Sequence, residues 1–289
     1  MSLWDLLASQ PALYLGCAAV LGLLVGSFLN VLVHRLPLMM ERRWQDEARE
    51  ALALPAQSSD GRFDLFLPPS HCPACRQRIR PWENIPLLSY AWLRGRCSGC
   101  KIRISPRYPL VELASAGLAL FAAWHFGVGA SALAFMLLGW GLLSLSLIDI
   151  DHHLLPDALV LPLLWLGLIV NAFGLFVTLD QALWGAVAGY LSLWSVYWLF
   201  RLITGKEGMG YGDFKLLAML GAWGGWQILP FILLFASLFG AVLGLILLKA
   251  SGKQASTPIP FGPYLALAGW IALLWGGQIP TSFLSFAGS

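Results

Sequence analysis

Gly208-Met209-Gly210-Tyr211-Gly212-Asp213-Phe214-Lys215 is a short turn between two long apolar segments, and Asp213 opens the second of them. An aspartate there stands at the edge of a hydrocarbon layer, where a charge is expensive and rarely kept without a task. Three glycines in five positions allow backbone conformations closed to other residues and let another chain approach closely. A second acidic cluster, Asp149-Ile150-Asp151-His152-His153-Leu154-Leu155-Pro156-Asp157, occupies an earlier apolar boundary.

The surrounding chain is built for lipid. It is 58% hydrophobic and 11% charged, with a mean hydropathy of +0.72; soluble domains carry about 25% charged residues. Apolar runs recur along most of the 289 residues, as in a polytopic membrane protein. The first, roughly 12–33, is too long for a signal-peptide core and lacks a basic leader, since Asp5 is the only charge before Arg35. It is expected to be a retained helix.

Charge distribution gives an orientation. All 18 Lys and Arg residues lie at or beyond Arg35, and 13 of them fall within 34–108. Transmembrane helices are expected near 12–33, 109–126, 131–148, 158–178, 182–202, 213–225, 228–248 and 261–279. With the N-terminus outside, every cation falls on the cytoplasmic side, and the outer connections contain only Asp180. The expected architecture is therefore an all-α polytopic membrane protein of about eight helices. It divides into a first helix (1–33), a cytoplasmic loop (34–108) and a membrane core (109–289).

Within the loop, Cys72-Pro73-Ala74-Cys75 and Cys97-Ser98-Gly99-Cys100 form a C-x2-C-x21-C-x2-C pattern, close to the spacing of a four-thiolate zinc site. Two structural disulfides are the competing reading. A cytosolic location disfavours them, because disulfides seldom persist there. Four protein ligands would make the zinc structural, with no open position for chemistry. Residues 41–50 read as an exposed helix of mixed charge, and Pro55 to Pro69 as an irregular connection. Residues 82–90 suit either a binding surface or the small core of the zinc module.

Other polar residues have structural readings. Small Gly16, Gly22, Gly26 and Ser27 suit close helix packing in lipid. Cys17 reads as inert packing and Asn30 as an interhelical hydrogen-bond partner. Glu112 is expected to pair with a loop arginine. Asp157, after Pro156, suits an N-cap, while Asp151 reads as a local structural group. Trp165, Trp184, Trp194 and Trp198 read as interface anchors. Pro260-Phe261-Gly262-Pro263 opens the last helix and could shape the wall of a site.

The topology puts Asp149 and Asp213 at the same membrane face, at helix ends. Two close carboxylates in a poorly solvated place share one proton, which is the state an aspartic protease uses. No serine or cysteine nucleophile competes, and His152 and His153 lack a partner motif. Gly210-Tyr211-Gly212-Asp213 matches the GxGD signature of intramembrane aspartic proteases. With the Asp149 to Asp157 cluster and the paired CxxC loop, nearly the whole chain resembles bacterial type IV prepilin peptidases.

That resemblance implies cleavage of the basic leader from type IV prepilins and type II secretion pseudopilins, at the cytoplasmic face of the inner membrane. It also implies methylation of the new N-terminal amine with S-adenosylmethionine. It assigns catalysis to Asp149 and Asp213, and metal binding to Cys72, Cys75, Cys97 and Cys100. No nucleotide-binding fingerprint locates the methyl donor, and no nucleic-acid partner is expected. A transporter with paired acids would place them near mid-bilayer and show internal repeats, and no convincing repeat stands out. A non-catalytic assembly factor docking through the zinc loop is the other rival.

Overall fold

The computed structural model describes residues 3–55, 61–251 and 260–275. Among them the protein is helical, with no β-strand and only two isolated β-bridges. It forms two compact units, Met1–Trp140 and Gly141–Ser289, divided within one helix.

The first unit contains α1 (Leu3–Ser9), α2 (Pro11–Ala51), a 3-10 turn (Pro81–Asn84), α3 (Leu88–Trp92), α4 (Arg107–Phe126) and the start of α5 (Ala130–His152). At 41 residues α2 is about 60 Å long, twice a hydrocarbon core. The charged stretch expected as a separate helix is thus its continuation beyond the membrane. Strong helix formers (Met, Glu, Arg, Gln, Ala) carry it past Pro37, and Arg43 pairs with Glu47 one turn on at 2.7 Å.

α2 and α4 pack backbone to backbone. A Cβ on Gly22 would lie 2.6 Å from Ala116 Cα, and one on Gly26 2.7 Å from Glu112 Cα. Ser115 donates to the Gly22 carbonyl, and Asn30 donates to the Tyr108 carbonyl at 3.1 Å, so Asn30 bridges helices as expected. Cys17 instead faces outward. Among the described residues Glu112 has no arginine partner; it accepts the Leu87 N–H at 2.9 Å, because the chain entering α3 brings a backbone donor to it.

The second unit holds the rest of α5, then α6 (Asp157–Ala172), α7 (Leu179–Thr204), α8 (Tyr211–Gly224), a 3-10 turn (Trp226–Ile228), α9 (Leu229–Ser251) and α10 (Gly262–Trp275). Its axis is α8, only 14 residues or about 21 Å long and buried from Asp213 to Gly224 except at Lys215. α7 approaches it through Gly185 and Gly189, where a Cβ would stand 2.2 Å from the Gly221 carbonyl oxygen and 2.6 Å from that of Leu217. α6 contributes Gly167 against the Trp223 ring, and Trp223 donates to the Leu163 carbonyl at 2.8 Å. α10 presents Gly269 to Leu220. Small residues thus let three helices enclose a fourth, the packing mode available without a hydrophobic driving force between helices.

Asn171 closes the far end of α8. Its amide donates to the Ala222 and Trp223 carbonyls, both at 2.9 Å, and its oxygen accepts from Phe176 and Val177. These bonds turn the chain at Phe173, so α6 ends earlier than the expected 178. Thr178 and Gln181 form a capping box that starts α7, and Gly205 ends it in the left-handed conformation.

Among the described residues five helical segments are long and apolar enough to cross a membrane: Pro11–Ala51, Arg107–Phe126, Ala130–His152, Leu179–Thr204 and Trp226–Leu243. α6 and α10 are apolar but shorter. The expected end of the last helix (276–279) and most of the connection 249–260 lie outside the described residues. Trp165, Trp184, Trp194 and Trp198 face outward, as interface anchors do.

Candidate active site and metal centre

In the second unit, Asp149 lies in the last turn of α5 and Asp213 in the first turn of α8. They are 6% and 8% exposed, the two buried carboxylates described in that unit. Asp149 is the charged neighbour that acts on Asp213 through space. The sequence's two acidic helix boundaries therefore lie within electrostatic reach of each other.

The groups around them are specific. The Gly262 N–H, at the start of α10, donates to Asp149 Oδ2 at 2.9 Å. Orphan N–H groups of a helix N-terminus suit a carboxylate. Leu155 packs against both helix starts: a Cβ on Gly212 would fall 2.8 Å from Leu155 Cβ, and one on Gly262 3.2 Å from Leu155 Cδ2. Asp157 is the first residue of α6, not its cap; Pro156 holds that position, and Lys215 Nζ draws the Asp157 carboxylate to 2.8 and 2.7 Å. Asp151, His152 and His153 are exposed.

Of the two roles expected of the turn glycines, close approach is seen and an unusual backbone conformation is not. Gly208, Gly210 and Gly212 all lie outside the left-handed region. Their requirement is space: Gly208 admits the Phe200 ring and Gly212 admits Leu155, whereas a Cβ on Gly210 would meet only Asp213 Oδ2, at 3.9 Å. The Gly262 donor was not legible from sequence beyond the Pro-Gly-Pro signal for a helix start. The Lys215–Asp157 pair had no signal, because its residues are far apart along the chain.

In the first unit, the four cysteines converge, with every Sγ within 4.8 Å of the others. Cys72 and Cys100 sulfurs are 3.7 Å apart, and Cys75 and Cys97 sulfurs 3.9 Å. A disulfide requires about 2.05 Å. Four sulfurs about 2.3 Å from one ion stand about 3.8 Å apart at tetrahedral angles. The donor set therefore fits a single thiophilic ion.

Two matching turns build this centre. Cys72 N–H donates to the Gln77 carbonyl and Arg76 N–H to that of Cys72; Cys97 N–H donates to Ile102 and Lys101 N–H to Cys97. Arg76 and Lys101 both take positive φ, 57° and 60°. Bridges His71↔Arg78 and Arg96↔Arg103 follow at equivalent places. Cys72-Pro-Ala-Cys-Arg-Gln-Arg-Ile-Arg-Pro81 repeats as Cys97-Ser-Gly-Cys-Lys-Ile-Arg-Ile-Ser-Pro106, a repeat legible in the sequence but overlooked there. Backbone N–H groups of Cys75 and Ala74 pull the Cys72 thiol down to about 6. The Ile102 N–H favours the Cys100 thiolate, but burial and the neighbouring thiols outweigh it and push Cys100 up to about 11.

Residues 20–126 match the bacterial peptidase A24 N-terminal domain, and residues 136–245 match the type IV leader peptidase family. The chain is 66% identical to a prepilin leader peptidase/N-methyltransferase of Pseudomonas aeruginosa over 100% of this chain and 99% of that protein. Identity is 65% to the protein of that name from Stutzerimonas stutzeri, over 98% of both chains, and 54% to that from Aeromonas hydrophila, again over 98% of both. No solved structure matches the chain. Identity at this level along the full length, with both domain matches in order, places the chain in the type IV leader peptidase family.

Proposed function

We propose that this protein cleaves the basic leader of type IV prepilins and type II secretion pseudopilins and methylates the new N-terminus, with Asp149 and Asp213 as the peptidase dyad. The observation that carries the peptidase reading is a pair of buried carboxylates at helix ends, within electrostatic reach of each other and one of them bonded to the Gly262 N–H. In the reaction the ionised aspartate takes a proton from water as its oxygen attacks the scissile carbonyl. The protonated aspartate hydrogen-bonds the carbonyl oxygen and stabilises the developing oxyanion. Collapse breaks the C–N bond, and the proton taken from water passes to the leaving amine. The Gly262 N–H holds one Asp149 oxygen as an acceptor, leaving the other free for water or substrate.

The dyad faces the cytoplasm in this reading, supported by the placement of every Lys and Arg at or after Arg35. A basic leader stays in the cytosol there, while the following apolar segment lies in the bilayer of the inner membrane. Cys72, Cys75, Cys97 and Cys100 would hold a zinc ion, which would join the two turns of the loop as a structural centre with all four ligands from the protein. The methyl donor, S-adenosylmethionine, carries a sulfonium cation. The open clefts of the cysteine module are lined by arginine and lysine, which suit an anion, so no residue is assigned to the donor.

The test uses purified protein, a prepilin and labelled S-adenosylmethionine. Asp149→Asn and Asp213→Asn should each abolish cleavage while the protein stays folded, and methylation of pre-cleaved pilin should survive in both. Cleavage at the normal rate by either variant would overturn the dyad and direct attention to Asp151.

A further inference from the structure

The cysteine module carries a charge pattern that metal binding does not require. Between Asp64 and Glu112 the sequence has eight cations and one carboxylate, Glu83. That carboxylate is engaged by the Arg80 N–H at 3.0 Å and by Ser98.

The two turns are related by sequence and hydrogen bonding, yet they differ in one respect. In the first, Arg78 stands opposite His71; in the second, Arg96 stands opposite Arg103. The Arg96–Arg103 pair is flanked by the bonds Cys97 N–H to Ile102 and Ile104 N–H to Gly95. It is thus the closer, non-hydrogen-bonded kind of antiparallel pair, with Cα atoms about 4.5 Å apart and side chains on one face. Like charges directly opposite each other destabilise such a pair. Both arginines are exposed, and Arg96 lines an open cleft with Trp92, Arg94 and Lys101. A cleft of three cations and an indole, with a fourth cation beside it, calls for an anion.

Its position in the fold says which anion. Leu87 is tied to Glu112, and Glu112 lies five residues into α4, about 7.5 Å from the start of that membrane-length helix. Trp92 ends α3, five residues after Leu87, and is therefore about 7.5 Å from the tie whichever way α3 points. The headgroup layer is about 5–8 Å deep. Trp92 is 82% exposed and Leu88 69% exposed, so α3 offers apolar area within reach of the interface that α4 would cross, where tryptophan anchors proteins to membranes.

We propose that the second cysteine turn is a phosphate-binding cleft for an anionic phospholipid headgroup, with Arg94, Arg96, Lys101 and Arg103 around the phosphate and Trp92 seated in the interface. The cysteine module then rests on the membrane surface. This site is independent of the peptidase dyad and of the identity of the ion.

The test is hydrogen exchange of residues 88–104 in the full-length protein, held in nanodiscs of phosphatidylcholine alone or mixed with phosphatidylglycerol. A cation near an anionic surface strengthens binding roughly five-fold. Exchange should be at least about five-fold slower with phosphatidylglycerol, and the difference should shrink in high salt. It should vanish in Arg94→Gln/Arg96→Gln protein that keeps its bound metal, and weaken in Trp92→Ala, a change at an exposed site. Equal exchange in the two lipids overturns the proposal, as does a difference that survives Arg94→Gln/Arg96→Gln. Equal protection by inorganic phosphate or an acidic peptide in phosphatidylcholine would also overturn it, by making the cleft a site for soluble anions.

Discussion

Replacing Gly262 by alanine tests the geometry around Asp149 directly. The new Cβ would stand 2.7 Å from Asp149 Oδ2, 3.3 Å from its Cγ and 3.2 Å from Leu155 Cδ2. Relief to an ordinary contact requires the carboxylate to move by about half an ångström or more, which lengthens the 2.9 Å bond from the Gly262 N–H. Losing a hydrogen bond to a charged acceptor costs about 1.5–3 kcal/mol, or roughly 10- to 150-fold in rate if the bond is needed at the transition state. Misplacement of a reacting group by about 1 Å costs a similar ~100-fold. Both routes predict a kcat for prepilin cleavage lowered about 10- to 100-fold, with a smaller effect on KM because the loss falls on the reacting groups. The assay is steady-state cleavage by purified protein, with thermal unfolding as a check on folding. Gly210→Ala is the control: its Cβ meets only Asp213 Oδ2 at 3.9 Å, so the protein should fold with native stability. A Gly262→Ala protein with wild-type kcat would refute the assignment of that N–H to the site.

Asn171→Leu removes the bonds to Ala222, Trp223, Phe176 and Val177, and at about 0.6 kcal/mol per bond in a membrane protein it should cost roughly 2–3 kcal/mol, seen as a lowered Tm. The cysteine module should hold one zinc per chain by elemental analysis, and Cys72→Ser should lose it. In the metal-free protein Cys100 stays protonated until about 11, so zinc binding at neutral pH should release at least one proton. Affinity should therefore rise with pH, and calorimetry in buffers of different ionisation enthalpy measures the release. The part-exposed Lys215–Asp157 pair should show a coupling of only about 0.2–1 kcal/mol in a double-mutant cycle, smaller still at high salt.

The five membrane-length helices among the described residues were legible because lipid imposes length and composition on each of them. The exceptions have local causes. The charged half of α2 looked separate because a change of solvent resembles a change of element, although backbone bonding continues through Pro37. α6 stops early because Asn171 captures two backbone N–H groups further on, an arrangement no periodicity records. The four cysteines were readable because each CxxC turn is local and the ion's geometry is fixed. The turn glycines were legible only as a choice between two roles: Gly212 gives close approach to Leu155, a residue far away in sequence, and nothing in Gly-Tyr-Gly-Asp distinguishes that from a need for positive φ. Glu112 was expected beside an arginine because charge suggests charge, yet a backbone N–H satisfied it.

The doubled turn around the cysteines has a consequence for assembly. Each half supplies two thiolates, so neither half completes a tetrahedral shell by itself. Within one chain the second half is supplied at the high effective concentration set by the short tether from Cys75 to Cys97. If one half were lost, the remaining pair would find the same partner geometry only on a second molecule. The linking segment thus fixes the stoichiometry expected of the module, one ion held within one chain.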